Sequence, residues 1–296
     1  MINGVLPDPR RHAYRDDLAA ESLRDHVKAP RYVAGERRQL QVPVLPVRRR
    51  PRFDATLDSE ALFGETVTVL DENEGWAWVQ LSRDGYVGYM PSEGLIRTLR
   101  APTHRVAALR TYVYPEPDFK TPPLALLSLN ALLSAAAAEG RFLALQTGGF
   151  VFAEHTRKVD EAAEDFVAVA LSFLGTPYLW GGRTSLGIDC SGLVQLANEA
   201  AGLACPRDAD MQAAELGRAL DWHGADGFAR GDLIFWDGHV GIMTNGQDLL
   251  HASAHHMAVV VEPLADAKTR IAASGSELLG ARRPNRVKGA ERPHHG

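Results

Sequence analysis

One cysteine in this sequence has neighbours that suit a nucleophile better than a packing residue. Cys190 lies between Asp189 and Ser191, with Gly187 and Gly192 close by. Asp and Ser are favoured at helix N-caps, and the pattern that follows predicts a helix beginning at Cys190. The positive end of the helix dipole would lower the thiol pKa from its usual value of about 8.5. Position alone is equally compatible with an inert buried cysteine.

Two histidines downstream could complete the chemistry of a cysteine nucleophile. Such a nucleophile needs an imidazole that accepts its proton and returns it to the leaving amine. A third group must orient that imidazole. His239 begins an apolar segment, and His251 lies in the next one, after an Asn245-Gly246 turn. These histidines are the candidate base and its partner.

The strand register between the two histidines decides whether they can meet. With a two-residue loop, His239 would lie opposite Ala252, and His251 would face the other side of the sheet. With a three-residue loop, 245–247, His239 would oppose Ser253, and His251 would become a diagonal neighbour on the same face. The sequence leaves both loops open. A catalytic pair of histidines requires the loop of odd length or a bulge.

The pattern of apolar and turn residues along the chain predicts several domains. Short alternating runs between turn residues are typical of small antiparallel β domains, and two such blocks precede the cysteine. Helical periodicity followed by further strands then predicts an α+β domain. The predicted organisation is an N-terminal segment with a short helix (1–29), two β domains (30–98 and 101–157), the α+β domain (158–285) and a tail (286–296).

Two local predictions depend on weaker patterns. Leu18, Leu23 and Val27 recur at helical spacing, which predicts the short helix over Asp16–Val27. The alanine-rich run Ala135–Ala138 could be a helical turn within the second β block.

Composition excludes several classes of function. The 296 residues carry a net charge of −5 and 23% charged side chains, and basic motifs interleaved with aromatic residues are absent, so no nucleic-acid partner is predicted. No apolar run is long enough to span a membrane, and no CxxC-type metal spacing occurs, so neither a metal nor another cofactor is predicted. The N-terminus lacks the pattern of a signal peptide, which predicts a cytoplasmic protein unless the start site lies further upstream.

Four motifs, taken in order, resemble the NlpC/p60 family of papain-like cysteine peptidases. They are Pro177-Tyr178-Leu179-Trp180-Gly181-Gly182, Asp189-Cys190-Ser191-Gly192, Gly231-Asp232-Leu233-Ile234-Phe235 with His239-Val240-Gly241-Ile242, and His251-Ala252. The resemblance covers about 158–285 and implies Cys190 as nucleophile, His239 as base and His251 as the polar third member. It also implies that Tyr178 and the backbone N–H of the cysteine stabilise the oxyanion.

The two upstream blocks resemble bacterial SH3-like β-barrel domains. Two such domains before this peptidase domain resemble the dipeptidyl-peptidase VI type of murein peptidase. Members of that group cleave the bond between γ-D-glutamate and a diamino acid in murein peptides with a free N-terminal L-alanine. The resemblance implies a murein-peptide substrate, a role in cell-wall peptide recycling and a first SH3-like domain that blocks longer substrates.

The candidates for substrate binding come from two of the predicted domains. They are Asp189, Ser191, Arg207, Glu65, Tyr86 and Tyr89. Asp189 could pair with the free amine of the substrate. Ser191 could contact substrate or act only as a cap, and Arg207 could line the cleft or form a loop salt bridge. The three residues of the first β domain could equally satisfy a turn or fill a core.

Two other classes of function compete with the peptidase hypothesis. A cell-wall-binding module with a degenerate peptidase domain would also carry SH3-like blocks, but every expected catalytic position is filled here. A metal site built from Cys190, His239 and His251 would use the same three residues, although their spacing suits a thiolate–imidazole pair better.

Overall fold

The structure is a computed structural model that describes residues 6–221 and 227–285. The chain separates into two compact units, with the boundary between Val159 and Asp160. Within the described ranges, no helix has the length and apolar character needed to cross a membrane. The predicted tail, 286–296, lies outside the described residues.

The N-terminal segment is extended, so the short helix predicted over Asp16–Val27 is wrong. The segment contains strands β1 (Tyr14–Arg15), β2 (Leu18–Ala20) and β3 (Tyr32–Val33), with a 3-10 turn at Glu21–Leu23. Ala19 and Ala20 donate their backbone N–H groups to the carbonyls of Arg31 and Ala13 rather than to a preceding helical turn. The apolar side chains that suggested a helix are nevertheless buried against Leu70 and Trp78, so tertiary packing overrides the local pattern.

The first β region forms one seven-stranded sheet in the order β10-β4-β7-β8-β9-β5-β6. Its strands are β4 (Glu36–Leu40), β5 (Val44–Arg48), β6 (Leu57–Leu62), β7 (Thr66–Asn73), β8 (Trp76–Leu81), β9 (Val87–Pro91) and β10 (Leu95–Ile96), with a 3-10 turn at Ser92–Gly94 between β9 and β10. On β8, Ala77, Val79 and Leu81 are buried on one face, while Trp78 on the other face packs under the N-terminal segment. Because side chains alternate between the two faces of a strand, β8 contributes to the core of the sheet on one face and to the core beneath the N-terminal segment on the other.

The second β region contains two smaller sheets, in the orders β14-β11-β18 and β13-β12-β17-β16-β15. Its strands are β11 (His104–Val106), β12 (Arg110–Tyr114), β13 (Ala125–Ser128), β14 (Leu132–Leu133), β15 (Ala135–Glu139), β16 (Phe142–Leu145), β17 (Phe150–Phe152) and β18 (Thr156–Lys158), with a 3-10 turn at Ala153–His155. The run Ala135–Ala138 therefore lies in an edge strand, and the alternative of a helical turn is wrong. Pairing with β16 supplies its backbone hydrogen bonds.

The second unit has the α+β composition predicted from the sequence. Its elements are α1 (Phe166–Leu171), β19 (Arg183–Thr184), β20 (Gly187–Ile188), α2 (Cys190–Ala200), α3 (Ala209–Glu215), β21 (Arg218–Ala219), β22 (Leu233–Trp236), β23 (His239–Met243), β24 (Asp248–Ser253), β25 (Ala258–Pro263), α4 (Leu264–Ala273) and β26 (Leu278–Arg283). An antiparallel sheet runs in the order β21-β26-β22-β23-β24-β25. Helix α2 packs on β23 and β24, which brings its N-terminus to the strands that carry the two histidines.

A buried ion pair fixes the start of β22, the strand that leads into His239. The Asp232 carboxylate is fully buried and accepts two hydrogen bonds from Arg283, at 2.6 and 2.7 Å. It also accepts the backbone N–H of Ala229 at 2.7 Å. The pair joins the loop before β22 to β26, so a motif residue of the sequence acts here as a structural anchor.

We expect Asp232→Ala to lower the free energy of unfolding by about 2–3 kcal/mol, because it removes the buried carboxylate that the Arg283 guanidinium and the Ala229 N–H share. The loss stays below the upper range for buried pairs since the Arg283 side chain is 35% exposed. Urea denaturation of both proteins measures the difference. Arg230→Ala is the control: it breaks the exposed pair with Asp165 (43% and 44% exposed) and should cost at most about 1 kcal/mol. Equal losses in the two variants would contradict the assignment.

Candidate active site

Cys190 is the first residue of α2, as the N-cap pattern predicts. The Asp189 side chain accepts the backbone N–H of Gly192 at 2.7 Å, which satisfies one of the free donors at the helix start. The helix is buried almost all round, so packing fixes the direction of its axis. The cysteine is therefore held at a defined point at the end of a rigid element.

The thiol of Cys190 lies between the residues that flank His239 in the chain. Its Sγ is 3.9 Å from the carbonyl oxygen of Gly238, and it accepts a hydrogen bond from the backbone N–H of Val240. Because one thiol contacts both neighbours of the histidine, the structure brings Cys190 to the start of β23. This is the proximity that a thiol–imidazole pair requires.

Burial raises the pKa of the Cys190 thiol to about 12, and the negative charge of Asp189 adds to the increase. Hydrogen bonds from the backbone N–H groups of Val240 and Ser191 favour the thiolate but do not outweigh burial. The helix start acts in the predicted direction through the N–H of Ser191, but the expected net lowering of this pKa is wrong for the resting protein. The cause is desolvation, which penalises the charged form more strongly than partial dipole charges stabilise it.

The β23–β24 hairpin has the three-residue loop that a pair of histidines requires. Ile242 pairs with Leu250, and the backbone N–H of Thr244 donates to the carbonyl of Asp248 at 2.9 Å. The loop is therefore 245–247. The Asn245 side chain stabilises it by accepting the N–H groups of Gln247 and Asp248, a common use of Asn in turns.

This register brings the two imidazoles into direct contact. Nε2 of His239 lies 2.8 Å from Nδ1 of His251. On the far side, Nε2 of His251 lies 2.7 Å from a carboxylate oxygen of Glu262 on β25. Arg270 on α4 donates two hydrogen bonds of 2.6 Å to the same carboxylate. A chain of polar contacts thus runs from His239 to Arg270.

Both imidazoles are neutral near pH 7, because burial lowers the pKa of each. Burial, with a smaller contribution from His251, lowers the pKa of His239 to about 3. Burial also lowers the pKa of His251, although Glu262 opposes the change. For Glu262, burial favours the neutral acid, but hydrogen bonds from Arg270 and His251 outweigh it and lower its pKa to about 2. A neutral His239 can accept a proton, as a general base must.

Asp189, Ser191 and Arg207 form one buried polar network around the cysteine. Arg207 donates to both carboxylate oxygens of Asp189, at 3.0 and 2.7 Å, and to the Ser191 hydroxyl at 2.8 Å. The second oxygen of Asp189 also accepts the backbone N–H of Gly181 at 2.9 Å. These contacts support positioning of Cys190 by its neighbours. Substrate contact by the three residues stays a prediction.

The glycines near the cysteine are required by packing within the protein. A Cβ on Gly192 would lie 2.4 Å from the carbonyl oxygen of Gly182, and one on Gly187 would lie 2.8 Å from the Leu179 side chain. Gly192 therefore lets α2 approach the glycine-rich loop, 175–187, which contains Gly182.

Tyr178 belongs to the glycine-rich loop and is partly buried. Burial raises the pKa of its hydroxyl, and negative charge at Cys190 and Asp189 raises it further. Backbone contacts hold the loop on both sides. The Tyr178 N–H donates to the carbonyl of Met257 at 3.0 Å, and Tyr178 forms an isolated parallel β-bridge with Ile188. The phenol stays protonated at neutral pH and is available as a hydrogen-bond donor.

The other three predicted substrate-binding residues belong to the first unit. Glu65 is buried and lies 2.7 Å from Arg83. Tyr86 is buried, and the hydroxyl of Tyr89 accepts a hydrogen bond from Arg15 at 3.3 Å. Each thus has a packing or polar role within its own unit. Their substrate-binding role stays a prediction.

Glu262 and Arg270 are the members of the site that sequence reasoning missed. Strand pairing places His251 opposite Val260, so Glu262, two residues on, points to the same face. The signal was a single acid within the apolar strand Val259-Val260-Val261-Glu262. Arg270 could not be found because its contact with Glu262 depends on how α4 packs beside β25, which local patterns in the sequence do not reveal.

The described residues offer no support for a metal centre. Across 6–221 and 227–285, no group of three or more His, Cys, Asp or Glu side chains is arranged to hold an ion. The facing nitrogens of His239 and His251 are committed to each other. The two cysteines of the sequence, Cys190 and Cys205, are not joined in a disulfide.

Comparison with protein-family models finds two domains. The NlpC/P60 family model matches 175–271, which includes the cysteine and both histidines. The model of the bacterial dipeptidyl-peptidase SH3 domain matches 47–95. A structure of an NlpC/P60 family protein from Bacillus cereus ATCC 10987 covers 84% of this chain and 99% of its own, with a TM-score of 0.70 and 22% identity, which shows the same fold.

Named relatives extend the comparison to about two thirds of the chain. The gamma-D-glutamyl-L-lysine dipeptidyl-peptidase of Bacillus subtilis is 31% identical over 67% of this chain and 73% of its own length. Dipeptidyl-peptidase 6 of Lysinibacillus sphaericus is 29% identical over 69% of this chain and 82% of its own. The chain belongs to the NlpC/P60 family and is a cysteine peptidase that carries a bacterial SH3 domain.

The raised thiol pKa predicts how Cys190 reacts with iodoacetamide. Only the thiolate is nucleophilic, so the rate of alkylation should rise about tenfold per pH unit between pH 6 and 9, without a plateau. Stopped time courses followed by mass spectrometry of the Cys190 peptide measure this rate, with Cys205→Ala as the background to exclude the second thiol. A plateau near neutral pH would show a preformed thiolate–imidazolium pair and contradict the prediction.

Proposed function

We propose that this protein hydrolyses the γ-D-glutamyl–diamino acid bond of murein peptides that have a free N-terminal L-alanine. Cys190 is the nucleophile, His239 the general base and His251 its orienting partner. The hydrogen bond between the imidazoles, beside a thiol at a helix N-terminus, is the observation that carries the proposal. The thiol contacts the backbone on both sides of His239, and His239 contacts His251, an order that supports nucleophilic catalysis.

The proposed reaction begins with a neutral thiol and a neutral imidazole. As Sγ of Cys190 attacks the γ-carbonyl carbon, its proton passes to Nδ1 of His239. The developing oxyanion receives hydrogen bonds from the Tyr178 hydroxyl and the Cys190 backbone N–H. The imidazolium then protonates the amine of the diamino acid, which leaves as the C–N bond breaks. Water, deprotonated by His239, hydrolyses the thioester and frees the thiol.

The substrate class is supported by the domain combination and the named relatives. Two relatives are called gamma-D-glutamyl-L-lysine dipeptidyl-peptidase and dipeptidyl-peptidase 6, and the SH3 domain that matches 47–95 is the one described for bacterial dipeptidyl-peptidases. A peptidase that releases a dipeptide must recognise the free amine of its substrate. Asp189, Glu65, Tyr86 and Tyr89 remain the candidates for this task.

Other fine details of the proposal come from the sequence. We infer that 101–157 is a second SH3-like domain, because it repeats the pattern of short strands separated by turns that the first β region has. The role in cell-wall peptide recycling stays a prediction. The alternative of a wall-binding module with a degenerate peptidase domain gains no support, since the thiol and both imidazoles are in place.

Replacing the nucleophile tests the chemistry. Cys190→Ala should lower hydrolysis of L-Ala-γ-D-Glu-L-Lys and of its meso-diaminopimelate analogue by at least about 10³-fold, because no other group can form the thioester. Release of the diamino acid, followed by chromatography, measures the rate. Cys205→Ala is the matched control and should retain activity. Activity of Cys190→Ala at the wild-type level would rule out the mechanism.

A second experiment tests recognition of the free amine. Acetylation of the N-terminal L-alanine removes a charge and should reduce kcat/KM by about 10- to 100-fold, the worth of one or two charge-assisted hydrogen bonds. The same assay compares the free and acetylated tripeptides. Equal rates would reject the dipeptidyl specificity and leave the cysteine chemistry intact.

A further inference from the structure

Glu262 holds the imidazole of His251 at the end opposite His239. Its Oε1 lies 2.7 Å from Nε2 of His251, and the His251 ring is 1% exposed. The carboxylate side chain is itself only 13% exposed. A partly buried, charge-assisted contact of this length fixes the ring more firmly than a neutral one would.

The charge on Glu262 determines which nitrogen of each histidine carries the proton. With a pKa of about 2, the carboxylate is ionised at neutral pH and can only accept hydrogen bonds. Nε2 of His251 must therefore carry a hydrogen, and its neutral ring keeps the lone pair on Nδ1. That lone pair accepts from His239, so the hydrogen of His239 lies on Nε2. Nδ1 of His239 is left with the free lone pair.

Arg270 keeps the carboxylate ionised and in place. Its two 2.6 Å hydrogen bonds bind both oxygens of Glu262, a geometry that matches the guanidinium fork. Among the described residues, further titratable groups lie near this pair. His256 lies 3.7 Å from Glu262, and the charge of Asp266 on α4 acts on Arg270.

We propose that Glu262, held by Arg270, is a positioning residue that sets the tautomers of both histidines and so leaves Nδ1 of His239 free to take the thiol proton. The proposal rests on the function proposed above for Cys190 and His239. It extends that function by two residues that touch neither the thiol nor the reacting bond. An amide at 262 could turn its NH₂ group towards His251, which would reverse both tautomers and place a hydrogen where the base nitrogen is needed.

The first test reads the tautomers directly and needs no substrate. Long-range ¹H–¹⁵N spectra of histidine-labelled protein distinguish Nδ1–H from Nε2–H, with H239Q and H251Q used to assign the signals. We expect Nε2–H for both rings in the wild type and loss of this state at His251 in E262Q. Nδ1–H at either ring of the wild type, or unaltered tautomers in E262Q, would overturn the proposal.

The second test separates positioning from folding by kinetics on L-Ala-γ-D-Glu-L-Lys. E262Q should lower kcat by about 10- to 100-fold, a part of the roughly 10²–10⁴ supplied by a positioned acid–base group, while KM changes less than about twofold. D165N is the matched control: it makes the same acid-to-amide change in another Arg-paired carboxylate of this unit and should leave kcat within about twofold.

Arg270 provides an independent arm of the kinetic test. Arg270→Lys keeps a positive charge beside the Glu262 carboxylate and should therefore retain more activity than Arg270→Gln. Wild-type kcat in E262Q, or equal losses in E262Q and D165N, would overturn the positioning role. If the wild type fails to cleave the peptide, the proposed substrate is wrong, and the tautomer measurement still decides the role of Glu262.

Discussion

The register of one hairpin governs the chemistry of the second unit. Side chains alternate between the two faces of a strand, so a shift of one residue in the β23–β24 pairing would send His251 to the opposite face from His239. The loop at 245–247 prevents this shift, and the Asn245 side chain stabilises the loop. A short turn far from the thiol thus decides whether a base has an orienting partner.

Ion pairs lie on both sides of the active site, one buried and one partly buried. Asp189 and Arg207 compensate each other beneath the helix start, and Glu262 with Arg270 does so behind the imidazoles. Such pairs stabilise a fold little when compared with apolar packing, because each charge loses its hydration. Their use here is geometric: each fixes a neighbour that must not rotate, the cysteine backbone in one case and an imidazole in the other.

Local patterns predicted the parts of the fold that local interactions control. The N-cap at Asp189, the helix after Cys190 and the strands around His239 follow from spacing alone. The failure at Asp16–Val27 arose because apolar spacing reports burial without fixing backbone conformation, and distant hydrogen-bond partners decided the latter. Glu262 escaped prediction for a related reason, since its role depends on pairing between β24 and β25.

The thiol pKa was misjudged because the sequence reveals a helix start and hides the depth of burial around it. With that pKa near 12, the resting cysteine is a poor target for peroxide and for adventitious electrophiles, which attack the thiolate. In the proposed mechanism the reactive sulfur exists only while a peptide occupies the site. The same burial that disfavours ionisation therefore protects the thiol from oxidation and alkylation between turnovers.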